Sequence, residues 1–300
     1  MTEISDDELL GLSEFALLPE NAEQAGVTGP PPAVHRVDSG GISALQWGDS
    51  PPRVLFFHGG GQNAHTWDTV IVGLGVPALA VDLPGHGHSA WREDGDYSPQ
   101  NNAAALAPVL NELAPDADLV VGMSLGGLTA IGLGAVAPHL VRELVLVDVT
   151  PSSLRRYAEL TTEQQGTVAL VAGDREFPSF AAILEATTAA APHRDRKSLR
   201  RGVFHNSRRL DDGNWTWRYD NIRKVPDFDS LWDDFAGLSV PVRLVRGGTS
   251  GFVTDEDADE LARRARQFRG VQVVDNSGHS VQSDQPRVLI DLLRGVLSGG

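Results

Sequence analysis

From residue 34 onward the chain sets short apolar runs against longer segments in which apolar residues recur every three or four positions. Residues 34–37 and 42–47 read as strands divided by Asp38-Ser39-Gly40-Gly41, in the manner of a hairpin. Residues 53–57, 78–81, 118–121 and 144–147 are apolar enough for buried strands, and helical patterns over 99–113 and 125–137 alternate with the later ones. The rhythm breaks over 151–236, which is rich in Arg, Ala, Trp and acidic residues and reads as helical without clear strands. It resumes with a strand over 242–245, a helix over 255–268, a strand over 271–274 and a helix over 286–297. Such alternation predicts an α/β fold, a mostly parallel central sheet flanked by helices on both faces. The middle segment is then a helical cap inserted over the carboxyl ends of the strands, where open α/β sheets bind ligands. Upstream, Ser5 and Glu8 form a capping-box pattern, and Leu9, Leu12, Phe15 and Ala16 place one apolar face on a helix expected to end at Pro19. The expected organisation is an N-terminal helix and connector over 1–33, a core over 34–150 and 237–300, and the cap over 151–236.

Composition narrows the function classes. The 300 residues are 41% hydrophobic and 22% charged, a balance that builds a buried core and argues against disorder. The formal net charge of −15 would repel phosphate backbones, so nucleic acid and anionic membrane are poor partners and a small-molecule substrate is expected. The absence of cysteine removes disulfides, thiolate nucleophiles and Cys-ligated zinc together. The opening MTEISDDELL lacks the basic and apolar regions of a signal peptide, and no apolar run approaches the ~20 residues of a membrane span, which points to a cytoplasmic protein.

The candidate chemistry gathers at strand ends. Gly122-Met123-Ser124-Leu125-Gly126 follows the apolar run 119–121 and opens a helix, the strand–turn–helix setting that a G-x-S-x-G nucleophile elbow requires. A serine needs a base, and Gly278-His279-Ser280, directly after the strand over 271–274, supplies His279 in the late chain position this architecture gives its histidine. His86 and His88 stand two apart in a Gly/Pro turn with neither Cys nor H-E-x-x-H to complete a metal site, so no metal is expected. His58-Gly59-Gly60-Gly61 lacks the G-x-G-x-x-G spacing of a dinucleotide site, and no cofactor is expected.

After residue 34 the chain resembles the α/β-hydrolase fold superfamily over almost its whole length. The resemblance is carried by His58-Gly59-Gly60-Gly61 with Trp67 downstream, by 82–89 (DLPGHGHS), by the elbow at Ser124, and by Gly278-His279 before Gln285-Pro286. It implies a hydrolase core with a helical cap and leaves the substrate open. In most members the triad acid follows the strand assigned here to 242–245, but where Asp is common this chain has Ser250. Asp255 and Asp257 come later, where Thr254 could cap the next helix, and read as helix-start residues. The other placement used in the fold is the end of the preceding strand, where 144–147 runs into Asp148, 24 residues after the serine and at the same edge of the sheet. In this the chain resembles esterases of the YbfF-like and ABHD11-like kind, and Asp148 is the preferred acid, with Asp255 and Asp257 as alternatives.

Two N–H donors are needed for the oxyanion; Leu125 is one, and Gly60 is chosen over Gly61 as the second. His58 and Asp82 are read as residues that brace backbone, and His65 as a satisfied surface histidine. Gly61, Trp215, Trp217 and Tyr219 are the candidate substrate-contacting residues, the last three forming one aromatic face of an extended segment. The expected activity is hydrolysis of a carboxylic ester through an acyl-enzyme. C–C bond hydrolysis of a β-diketone, cofactor-free dioxygenation and a non-catalytic binding protein remain as alternatives.

Overall fold

The computed structural model describes residues 8, 11–153, 159–221 and 230–299. An eight-stranded sheet has the order β1-β2-β4-β3-β5-β6-β10-β11. The hairpin of β1 (Val34–Ser39) and β2 (Ile42–Trp47) turns on Gly40-Gly41 alone, so β1 runs two residues further than its apolar pattern. β2 lies antiparallel to β4 (Ala78–Val81), and from there the sheet is parallel through β3 (Val54–Phe57), β5 (Leu119–Met123), β6 (Leu144–Val147), β10 (Val242–Gly247) and β11 (Phe268–Val274). β3 through β6 are buried at every position, which is why their sequences are continuous apolar runs.

Helices cover both faces. α3 (Pro99–Leu113) and α4 (Leu125–Val136) pack over one, with Leu106, Leu110, Ile131 and Leu133 in a core shared with Leu55, Leu79 and Leu146. On the other, α2 (Asp68–Leu74) and α9 (Pro286–Ser298) close over Phe56, Trp67, Val121 and Val147. α1 (Leu18–Ala25) begins one residue before the proline expected to end a helix. Pro19 sits in its first turn, where the missing N–H costs nothing, while residues 12–17 form bends and turns; the capping-box serine lies outside the described residues.

Between β6 and β10 the structure corrects the expectation of a segment without strands. α5 (Phe180–Ala190) and α6 (Arg196–Asn206) pack on an antiparallel sheet of order β7-β9-β8, formed by Glu176–Phe177, Trp215–Trp217 and Ser207–Arg209. Strands of two or three residues are too short to leave an alternation that stands out in sequence. The boundary expected at 236/237 falls inside α7 (Leu231–Gly237), whose Leu231, Trp232 and Phe235 belong to the core of the main sheet. Among the described residues no helix is long and apolar enough to cross a membrane.

Candidate active site

β5 runs straight into Ser124, and α4 starts at the next residue. Ser124 has φ 51° and ψ −121°, a conformation that costs a non-glycine residue about 1–3 kcal/mol and holds its side chain out of the strand-to-helix turn. The flanking glycines permit the turn. A Cβ on Gly126 would lie 2.2 Å from the Phe57 carbonyl oxygen, and one on Gly122 would lie 2.6 Å from the Gly126 oxygen.

One strand over, Asp148 follows β6 with φ 51° and is completely buried. Its Oδ1 accepts from Gly247 N–H at 2.9 Å, and its Oδ2 accepts from the Ser250 hydroxyl at 2.5 Å and from His279 Nδ1 at 2.7 Å. An ionised carboxylate can only accept, so the imidazole proton is on Nδ1 and the Nε2 lone pair is free to take another. That Nε2 is buried without a hydrogen-bond partner, and His279 and Ser124 line the same cavity of about 680 Å³. Phe252 stacks on one face of the imidazole, centroids 3.6 Å apart and planes 13° from parallel. Nothing in the sequence of residues 248–252 separates Phe252 from an ordinary loop aromatic.

The two alternative acids are engaged in the start of α8 (Asp255–Arg264). Asp257 completes a capping box with Thr254, and Asp255 pairs with Arg246 at 2.6 Å.

The loop after β3 passes over the elbow. Gly59, Gly60, Gly61 and Leu125 all line the cavity beside Ser124. Leu125 is the first residue of α4, where backbone N–H groups have no partner within the helix. His58 lies beneath this loop, fully buried; its Nδ1 donates to the Gly59 carbonyl at 2.7 Å and its Nε2 accepts from Leu83 N–H at 2.9 Å. Burial and the neighbouring His86 hold its pKa down at about 3 against the pull of Asp82, so the ring is a neutral brace. Asp82 takes N–H groups of Ala64 and His88 and pairs with Arg36 at 2.9 Å. Burial alone would raise its pKa, but these bonds and the Arg36 charge keep it well below the usual carboxylate range.

Three further expectations divide. Trp217 and Tyr219 line the cavity and stack on one another with centroids 5.8 Å apart. Trp215 does not: although it lies on the same face of β9 as Trp217, it packs edge-on against Phe180 within the cap's own core. His65 is no surface residue. It is 8% exposed, lines the cavity and stacks at 3.6 Å on His205 of α6, and Asp68 and Glu14 grip its two ring nitrogens at 2.8 and 3.1 Å. Burial disfavours its charge, but the two carboxylates outweigh that and push its pKa up to about 9. The spacing His65-x-x-Asp68 beside a helix start was the available signal.

His65, Asp68 and His205 bring three ligating atoms within 4.8 Å of one another, the cluster among the described residues most like a metal site. Its donors do not converge: both His65 nitrogens are taken up by carboxylates, so the imidazolium has no lone pair to offer a metal, and His205 stacks on it with planes 12° from parallel. The cluster is a buried ionic joint between the N-terminal segment, the loop after β3 and the cap.

A family model described as the alpha/beta hydrolase family matches residues 54–292. Esterase Rv0045c of Mycobacterium tuberculosis is 75% identical over 294 residues, covering 98% of this chain and 99% of that protein. A solved structure of that esterase superposes with a TM-score of 0.89 over 96% of this chain and 99% of its own. The sn-1-specific diacylglycerol lipase ABHD11 of Mus musculus is 26% identical over 267 residues, 82% of this chain and 81% of the lipase. With its mostly parallel sheet, its matched length and a relative of such identity, the chain belongs to the alpha/beta hydrolase family.

Proposed function

We propose that the protein hydrolyses carboxylic esters of small molecules through an acyl-enzyme on Ser124, with His279 as base and Asp148 as the acid that orients it. The observation carrying this reading is the contact from His279 Nδ1 to Asp148 Oδ2 at 2.7 Å, which leaves Nε2 buried and unpartnered on a residue that lines the same cavity as Ser124. The name of the relative at 75% identity, an esterase, supports the choice of bond.

In this reading Nε2 takes the Ser124 proton as Oγ attacks the ester carbonyl. The carbonyl oxygen becomes an oxyanion facing the N–H groups of Leu125 and Gly60, each worth roughly 2.7–4 kcal/mol in the transition state. Collapse expels the alcohol, which takes the proton from Nε2. Water, deprotonated by the same nitrogen, attacks the acyl carbon, and Ser124 leaves with the proton. Asp148 keeps the proton on Nδ1 and stabilises the imidazolium in both halves.

The cavity of about 680 Å³ falls in the ~300–1,000 Å³ range of small-ligand pockets, and Leu128, Val149, Val203, Trp217 and Tyr219 give its walls an apolar character suited to an acyl or alcohol chain. The test is turnover of nitrophenyl esters of graded chain length by the protein and by Ser124→Ala. Turnover should be lost in the variant, and a variant as active as the parent would remove Ser124 from the mechanism.

A further inference from the structure

We propose that Asn206, the last residue of cap helix α6, is a positioning residue for the oxyanion loop, so that the cap takes part in anion stabilisation as well as in enclosing the substrate. The inference rests on the reading of Gly60 as the second oxyanion donor. Gln62 N–H donates to the Gly59 carbonyl at 3.2 Å and closes a turn with Gly60 and Gly61 at its corners. Gly61 has φ 71°, and a Cβ built on Gly60 would meet nothing within 4 Å. The peptide plane that carries the Gly60 N–H is held at the Gly59 carbonyl, by His58 Nδ1 at 2.7 Å and by the Gln62 N–H, but Gly60 and Gly61 have no side chain to hold the planes that follow.

Two side chains hold the rest of the turn. On one side the Gln62 side-chain oxygen takes Gly59 N–H at 3.1 Å. On the other, Asn206 Nδ2 donates to the Gly61 carbonyl at 2.5 Å, in the same peptide plane as the Gln62 N–H that closes the turn on the Gly59 carbonyl. The link runs both ways, for Asn63 Nδ2 donates to the His205 carbonyl at 2.9 Å and approaches Asn206 Oδ1 at 3.3 Å. His205 O is one of the last-turn carbonyls for which a helix offers no internal partner. Val171 of the cap presses on the same place, since a Cβ on Gly61 would lie 2.5 Å from it. Two asparagines, one from the core loop and one from the cap, thus clasp the glycine turn to the C-terminus of α6. A cap displaced from this position would release the Gly61 carbonyl and let the turn swing.

The test compares Asn206→Asp, nearly isosteric but unable to donate, with Asn206→Ala, Asn63→Ala and the double alanine variant. Each is assayed for kcat, for KM and for inhibition by an aryl boronic acid, which forms a tetrahedral adduct on serine, and by the non-hydrolysable amide analogue of the ester, which does not. Loss of a whole oxyanion donor costs about 10²–10³ in kcat, so misaiming one should cost roughly 10- to 100-fold, with KM changed less than about three-fold. Boronate affinity should fall in step with kcat/KM while amide affinity holds, and the two alanine variants should be non-additive because they cut one clasp. Asn206→Asp with parental kcat, or equal losses for boronate and amide, would overturn the proposal. Fluorophosphonate labelling of Ser124 in the parent separates the two ideas: labelling without an Asn206 effect refutes the clasp alone, and no labelling refutes the esterase reading itself.

Discussion

Ser250 donates its hydroxyl to Asp148 Oδ2 at 2.5 Å, from the loop after β10 to the end of β6. In the proposed mechanism, the position where the fold family commonly carries its acid supports a carboxylate one strand nearer Ser124. Asp148→Asn should lower kcat by roughly 10⁴, by analogy with the measured loss when a triad acid becomes an amide. Ser250→Ala removes one hydrogen bond to a charged group, about 1.5–3 kcal/mol, and should cost on the order of ten-fold or more in kcat. In the Asp148→Asn background, Ser250→Asp should recover part of the activity, because the new carboxylate starts from a loop already in contact with the same oxygen position. Steady-state kinetics on the four proteins checks the set, and no recovery would mean that the loop cannot bring an acid to His279.

Asp257 caps α8 together with Thr254. Asp257→Ala should cost about 1 kcal/mol of stability through the lost cap and leave kcat at the parental level, as should Asp255→Asn. Thermal unfolding and kinetics together read this, and a large kcat loss in either variant would move the acid away from Asp148.

The cap aromatics should separate by what they face. Trp215→Ala empties a site in the cap's own core against Phe180 and should lower stability by about 3–5 kcal/mol with the acyl-chain preference retained. Trp217→Leu and Tyr219→Leu change the cavity wall and should shift the preferred chain length upward by opening space. A nitrophenyl ester panel distinguishes the two classes.

His65 carries a pH signature. Its folded pKa is pushed up to about 9 from an ordinary 6.5, by Asp68 and Glu14 acting against burial. Between those values the folded protein holds a proton that the unfolded chain has lost. The stabilisation is thus complete below about pH 6.5 and disappears as pH rises through about 9. Glu14, held down at about 2, adds no titration in this window, and the stacked His205, pushed well below its ordinary value by burial and by His65, stays neutral through it. Melting temperature should fall from pH 7 to pH 9 in the parent and fall less in His65→Gln; parallel slopes would contradict the assignment.

The core was legible because fully buried parallel strands leave continuous apolar runs, and β4, α3 and β6 begin and end where their patterns do. Ser124 and His279 were legible as motifs, and Asp148 as an acid at a strand end. What stayed hidden depends on partners far away in the chain. His65 becomes a buried cation only when Glu14 and Asp68 meet it and His205 covers it. Trp215 and Trp217 share one period-two pattern and both belong to the cap's core, and only the packing of the cap decides that Trp217 also reaches the cavity. Pro19 could end one helix or start the next, and α1 uses it as a start.

The central claim is that one hydroxyl, Ser124, becomes the acyl carrier. Mass spectrometry of the protein treated with a fluorophosphonate, followed by peptide mapping, tests it most directly. A single adduct on the peptide containing Ser124, formed slowly in Asp148→Asn and absent in Ser124→Ala, is the expected result. An adduct on another residue, or ester turnover that persists with Ser124 unmodified, would contradict it.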